Sequence, residues 1–171
     1  MRPESLEHYK KLDQLLSDVI RVYRHLLAVV RKEREILISS NLDDLNENNK
    51  AKEAMLLKAR SLEEERQQCC RELALLEGLE PDNTKLLDFA RHFGGEEGEK
   101  LRRVHSVLDL VIKRVREFNQ QNELLVHSAL DTITGAMTDI KETIAPKKTY
   151  QKGGKMASAN PGSGSLVRKE I

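Results

Sequence analysis

The sequence predicts an all-α fold: an elongated antiparallel bundle of three long helices, with one short helix between the second and third and a disordered C-terminal tail. Three observations carry this. Apolar residues recur at spacings of three and four over long stretches, 33% of the 171 residues are charged, and only 4% are aromatic, with no Trp. Such a composition holds too few large apolar groups for a thick globular core but suits helices that bury one stripe each.

The first helix carries Leu12, Leu16, Val19, Tyr23, Leu26, Val30 and Leu37 as a heptad seam, with Glu33 as its one interruption. Leu15, Val22, Val29 and Ile36 run beside the seam, with Ile20 and Leu27 alongside. A face this broad has to meet at least two neighbours. At Ser39-Ser40-Asn41 the pattern breaks, and these short polar side chains cap helices by accepting hydrogen bonds from unpaired N–H groups. Asp43 and Asp44 then sit where the positive end of a second helix would be.

The second helix runs from near Leu42 through Leu45, Met55, Ala59, Leu62, Cys69, Leu73 and Leu76. Asn48, Lys52 and Arg66 fall on the same track, so its middle is expected to pack less tightly than the first helix. Gly78 is placed to end it, with Pro81 following. In PDNTKLLDFARHFGG, Asp82 or Asn83 is expected to cap a short helix holding Leu86, Leu87, Phe89, Ala90 and Phe93, which Gly94-Gly95 would end. A third long helix is expected from about Glu99 to Pro146. It carries Leu101, Val104, Leu108, Val111, Val115 and Phe118, meets Asn119 and Asn122, and resumes with Leu125, Val126, Ala129, Leu130, Ile133, Met137, Ile140 and Ile144.

Two features of the third helix point outward. Residues 128 to 145, SALDTITGAMTDIKETIA, combine a persistent apolar stripe with β-branched Thr and Ile and with Gly135, so their intrinsic helicity is poor. A segment of this kind becomes helical when something packs on its stripe, either the chain's own first helix or an outside partner. The lengths also differ: about 35 residues for each hairpin helix against nearly 45 for the third, roughly 65 to 70 Å at about 1.5 Å per residue. If the third helix starts level with the end of the second, its last two turns or more, with Met137, Ile140 and Ile144, lack an internal partner. Asn119 and Asn122, three apart on one face, are then either a polar layer that sets the bundle's register or the point where the internal core stops and a binding groove begins.

The domain reading is residues 1–145 as a helical domain and residues 146–171 as a flexible basic tail. From Pro146 onward there are six Lys/Arg and one Glu, a tail of +5, leaving 23 basic and 27 acidic residues, a body of −4, within a chain of formal charge +1. That near-neutral balance advertises neither nucleic acid nor membrane as a partner. The tail's lone aromatic is Tyr150, between Lys147-Lys148 and Lys152 and Lys155. No run of about 18 apolar residues exists, and MRPESLEHYKKLDQL lacks the apolar core of a signal peptide, so a cytoplasmic protein without direct membrane insertion is expected.

No catalytic or metal-binding constellation emerges. None of His8, His25, His92, His105 and His127 has a carboxylate three residues before it, the spacing that di-metal helical bundles use, and there is no phosphate loop or nucleophile elbow. Cys69 and Cys70 are adjacent, lack CxxC spacing, and read as reduced packing residues. The expectation is a non-enzyme without cofactor or metal that works by binding protein.

Three stretches carry a resemblance: KEREILISSNLDDLNENNKAKEAMLLKARSLEEER at residues 32–66, NQQNELL at 119–125, and TYQKGG at 149–154. Glu33, Leu37, Leu45, Lys52, Leu56 and Arg66, followed by Asn119 and Asn122, stand in the order of the FlgN family of flagellar export chaperones, which the chain resembles up to about residue 156. The resemblance implies a small cytosolic chaperone for the hook-filament junction proteins FlgK and FlgL, docking at the export gate protein FlhA. It places client contacts on the C-terminal helix along the stripe from Leu125 to Ile144, with Leu125, Val126, Ala129, Leu130, Ile133, Met137, Ile140 and Ile144, and the groove reading of Asn119 and Asn122 adds those two at its near end. It places the gate contact on Tyr150. The alternatives from the residues alone are a structural coiled coil that self-associates, if only weakly, through the same stripe, and a nucleic-acid-associated helical protein using its basic tail.

Overall fold

A computed structural model describes residues 2–144. Among these the elements are four helices and no strand: α1 (Pro3–Ser39), α2 (Leu42–Glu77), α3 (Leu86–Phe93) and α4 (Gly95–Ile144). The chain falls into two units, Met1–His127 and Ser128–Ile171. Tyr150 and the basic tail lie outside the described residues. No helix among those described is long and apolar enough to cross a membrane.

In the first unit, α1 and α2 form the expected antiparallel hairpin. Val29 and Glu33 near the turn face Asn48 and Lys52, while His8 at the other end faces Cys69 and Glu72. The turn is made as its residue types predict. Ser40 takes the left-handed conformation at φ 56°, and the Asn41 carboxamide accepts from the N–H groups of Asp43 and Asp44. α2 ends at Gly78, φ 70°, with Leu79 N–H donating to the Ala74 carbonyl at 2.8 Å, the closure that satisfies a last helical carbonyl.

α4 runs parallel to α1. Its bonds to α1 keep a nearly constant separation of 87 to 92 residues along the chain: Tyr9 to Glu97, Lys100 to Asp13, Arg34 to Gln121 and Asn122 to Val30. The core is correspondingly thin. Leu12, Leu16, Cys69, Leu73, Phe89 and Leu101 fill one end, and Leu26, Val30 and Val115 fill the middle with Tyr23, Met55 and Phe118 against them. The broad face of α1 is thus divided between two partners, as its width requires.

Two boundaries differ from expectation. The short helix is capped from Lys85, not Asp82 or Asn83: the Lys85 N–H donates to the Asp88 carboxylate at 2.9 Å. Asp82 and Asn83 are absorbed in a turn that Thr84 closes by bonding back to the Glu80 carbonyl through both N–H and hydroxyl. α4 begins at Gly95, four residues before Glu99, because Gly94 reverses the chain at φ 60° and its carbonyl accepts at once from Gly98 N–H at 2.7 Å. Gly98 is buried against α3, where an added Cβ would stand 2.3 Å from the Ala90 carbonyl oxygen. The corner closes because that position has no side chain.

Candidate functional site

Glu33, read as a flaw in the α1 seam, is 8% exposed and sits at the centre of a polar layer that joins all three long helices. Lys52 from α2 donates to both its carboxylate oxygens, at 3.1 and 2.9 Å. From α4, the Asn122 amide nitrogen donates to Glu33 Oε2 at 2.9 Å and to the Val30 carbonyl at 2.8 Å. Asn48, also buried, donates to the Val29 carbonyl one turn away at 3.3 Å. Asn48 and Lys52 on the α2 track thus bond across the bundle to α1, and between Asn48 and Cys69 the one buried residue of α2 is Ala59. A charge taken from water without partners would cost several kcal/mol, so each group holds the others in place. Of the two readings of Asn122, the register layer is the one its bonds support.

Asn122 has a second side. Both acceptors near its nitrogen fix which way the amide faces, leaving its Oδ1 buried and without a donor. That residue lines an open cavity of about 480 Å3 bounded by Leu37 from α1, Leu45 and Asn49 from α2, and Asn119 and Val126 from α4. Asn119 and Leu125 are half-buried and Val126 is exposed. A larger cavity, about 600 Å3, lies among Leu16, Val19, Arg66, Cys70, Leu86 and His105. Its Arg66 guanidinium is bound to Glu63 and its Cys70 thiol is pushed above its ordinary range by burial.

The signal for the polar layer was present in the chain: polar residues interrupt each of three apolar seams, among them Glu33, Lys52 and Asn122. Nothing in the spacing marked the cavities, whose walls are ordinary bundle residues brought together by interhelical register. Among the described residues no group of His, Cys, Asp and Glu could hold a metal ion. Cys69 and Cys70 are free and buried, and burial raises the Cys69 pKa to about 11.

The second unit is described over Ser128–Ile144, all of it helical and every residue exposed. The stripe residues Leu130, Ile133, Met137, Ile140 and Ile144 are 54 to 76% exposed, and Ala129 is exposed with them. Every residue from Val126 to Ile144 is exposed. The hydroxyls of Thr132, Thr138 and Thr143 fold back onto the carbonyls four residues earlier, which removes polar groups from competition with the stripe.

Comparison with known proteins gives one family match. A family model described as "FlgN protein" covers residues 1–158. No curated protein and no solved structure matches the chain.

Proposed function

The chain belongs to the FlgN family of flagellar export chaperones, and on that premise we propose that it binds the amphipathic terminal helices of the hook-filament junction proteins FlgK and FlgL in the cytoplasm. Binding covers the surfaces by which those subunits polymerise and holds them for delivery to the export gate protein FlhA. The observation that supports this is the apolar stripe of Leu130, Ile133, Met137, Ile140 and Ile144, exposed on a helix whose own propensity is poor.

The magnitudes are consistent with a reversible complex. Covering what remains exposed on those five side chains contributes roughly 4 to 9 kcal/mol. The client's own apolar face adds a comparable amount, and the sum must exceed an ordering cost of about 2 to 5 kcal/mol together with the lost freedom of association. A complex with that balance shields the client and still releases it at the gate. Asn119, Asn122, Leu125 and Val126 are assigned to the near end of the client contacts, and Tyr150 to the gate.

Calorimetry with the terminal segments of FlgK and FlgL tests the reading. Ile133→Asp or Ile140→Asp is expected to abolish binding while circular dichroism of the first unit's transition stays unchanged. Undiminished affinity in both variants would remove the stripe from the site. Light scattering on the same samples separates a 1:1 complex from self-association of the chain.

A further inference from the structure

We infer that the outer face of the α1–α4 pair is a second docking surface, shaped for an acidic amphipathic helix of a protein partner and separate from the client stripe. Phe118 of α4 lies under the Arg31 guanidinium of α1 at 5.1 Å, and Gln121 accepts from Arg34, so these positions mark where the two helices flank one another. Helical spacing then carries Arg24 and Leu27, seven and four residues before Arg31, onto the same face, and Arg103, Leu110 and Arg114 join Phe118 from α4. Leu27 and Phe118 are half-buried against the core of Leu26, Val30 and Val115, whereas Leu110 is 52% exposed.

The charge on this face is left uncompensated. Arginine ion pairs among the described residues use Arg21, Arg60, Arg66, Arg91 and Arg102, and none of Arg24, Arg31, Arg34, Arg103 or Arg114. Arg34 bonds to a neutral carboxamide and Arg31 sits over a ring, arrangements that hold each guanidinium in place without cancelling its charge. Glu35 and Glu117 stand exposed at the margins, and Asp13 is taken by Lys100 at 2.7 Å. Positive charge thus collects on one face of a body whose residues before Pro146 sum to −4, and the residues from Pro146 onward sum to +5, so they do not carry its complement. Arg24 and Arg31 stand on one side of the apolar floor, seven residues or roughly 10 Å apart, with Arg103 and Arg114 on the other. A helix laid lengthwise, apolar residues down and carboxylates on both flanks, covers Leu27, Leu110 and Phe118 while its acids reach both rows of guanidinium groups. A bilayer or a nucleic-acid backbone offers negative charge without an apolar ridge narrow enough to enter between the rows.

The test uses the full chain, isotopically labelled, and a synthetic amphipathic helix of Leu, Ala and Glu about 20 residues long, compared with the same peptide carrying Lys for every Glu. The Glu peptide is expected to bind in calorimetry and to shift the Leu27 and Leu110 methyls saturably, and the Lys peptide to do neither. Its affinity should fall steeply as salt rises to about 0.5 M. The double variant R24E/R114E, one exposed position on each row, should weaken the Glu peptide at least about tenfold and admit the Lys peptide, with the thermal melt of the chain unchanged. Ile133→Asp should leave Glu-peptide binding intact, which separates this surface from the client stripe and makes its outcome independent of the chaperone reading. Absence of heat with the Glu peptide, binding that survives R24E/R114E, or shifts at Leu130 and Ile140 in place of Leu27 and Leu110 would overturn the surface. Phosphatidylglycerol vesicles and a duplex oligonucleotide are run alongside; a chain that binds either through these arginines more tightly than it binds the Glu peptide overturns the protein partner assigned here.

Discussion

The polar layer yields the sharpest test of how the bundle is held in register. In Lys52→Met the Glu33 carboxylate keeps only the Asn122 amide, while its side chain stays 11% exposed. Removing one partner of a fully buried pair costs about 3 to 5 kcal/mol, and removing one from a surface pair costs about 0 to 1. Lys52 is 22% exposed, which places this pair between those limits, so about 2 to 3 kcal/mol is expected. Glu33→Leu is milder, about 1 kcal/mol, because the stranded ammonium can turn its tip to water along a flexible stem. The double variant presents two apolar side chains in a seam that is already apolar and should lie within about 1 kcal/mol of the parent. The coupling is then about 2 to 4 kcal/mol. Urea unfolding followed by far- and near-ultraviolet circular dichroism measures it, and thermal melts should show Lys52→Met lowered by roughly 5 to 10 °C. Because the pair is shielded from solvent, the coupling should survive 0.5 M salt. A coupling below about 0.5 kcal/mol, or one that vanishes in salt, would mean that the layer is a surface ion pair and does not set the register.

Gly98→Ala should destabilise the first unit by about 1 to 3 kcal/mol in the same unfolding assay, since its methyl group meets the Ala90 carbonyl oxygen at 2.3 Å; a neutral result would show that α3 can shift away from α4 at no cost. Gly135→Ala, with nothing within 4 Å, should instead raise far-ultraviolet helicity and stabilise its helix by up to about 1 kcal/mol, and a loss of helicity would contradict the open surroundings described. The folded chain should react with thiol reagents at pH 8 only as fast as it opens, because the Cys69 thiol titrates near 11. The unfolded thiol ionises near 9 and the folded one does not until about 11, so stability should fall as pH rises through that window, with a shallower fall in Cys69→Ala. Tyr150→Ala should spare client binding and weaken binding to FlhA; a pulldown with both intact removes the role assigned to it.

How far the chain could be read before its structure depends on whether a feature is set within one helix or between helices. Seams, the Ser40-Asn41 turn and the Gly78 cap are local, and each was legible because a single residue type answers a single geometric need. Where two local signals competed the outcome went to tertiary packing: Asp82 and Asn83 are good caps, yet the helix waits for Leu86 because Leu86, Phe89 and Ala90 are the residues the core buries. The candidate site divides the same way. The stripe from Leu130 to Ile144 was legible as apolar spacing on a weak helix, whereas the meeting of Glu33, Lys52 and Asn122 required the register of three helices, which no single segment encodes. Asn122 shows why the division matters for function. Its spacing from Asn119 marked it as anomalous, but only the convergence of Glu33 and Lys52 from two other helices reveals that its nitrogen is committed to the fold and its oxygen is not. Substituting Asn122 should therefore loosen the register it shares with Glu33 and Lys52, and the loss should appear in the stability of the first unit.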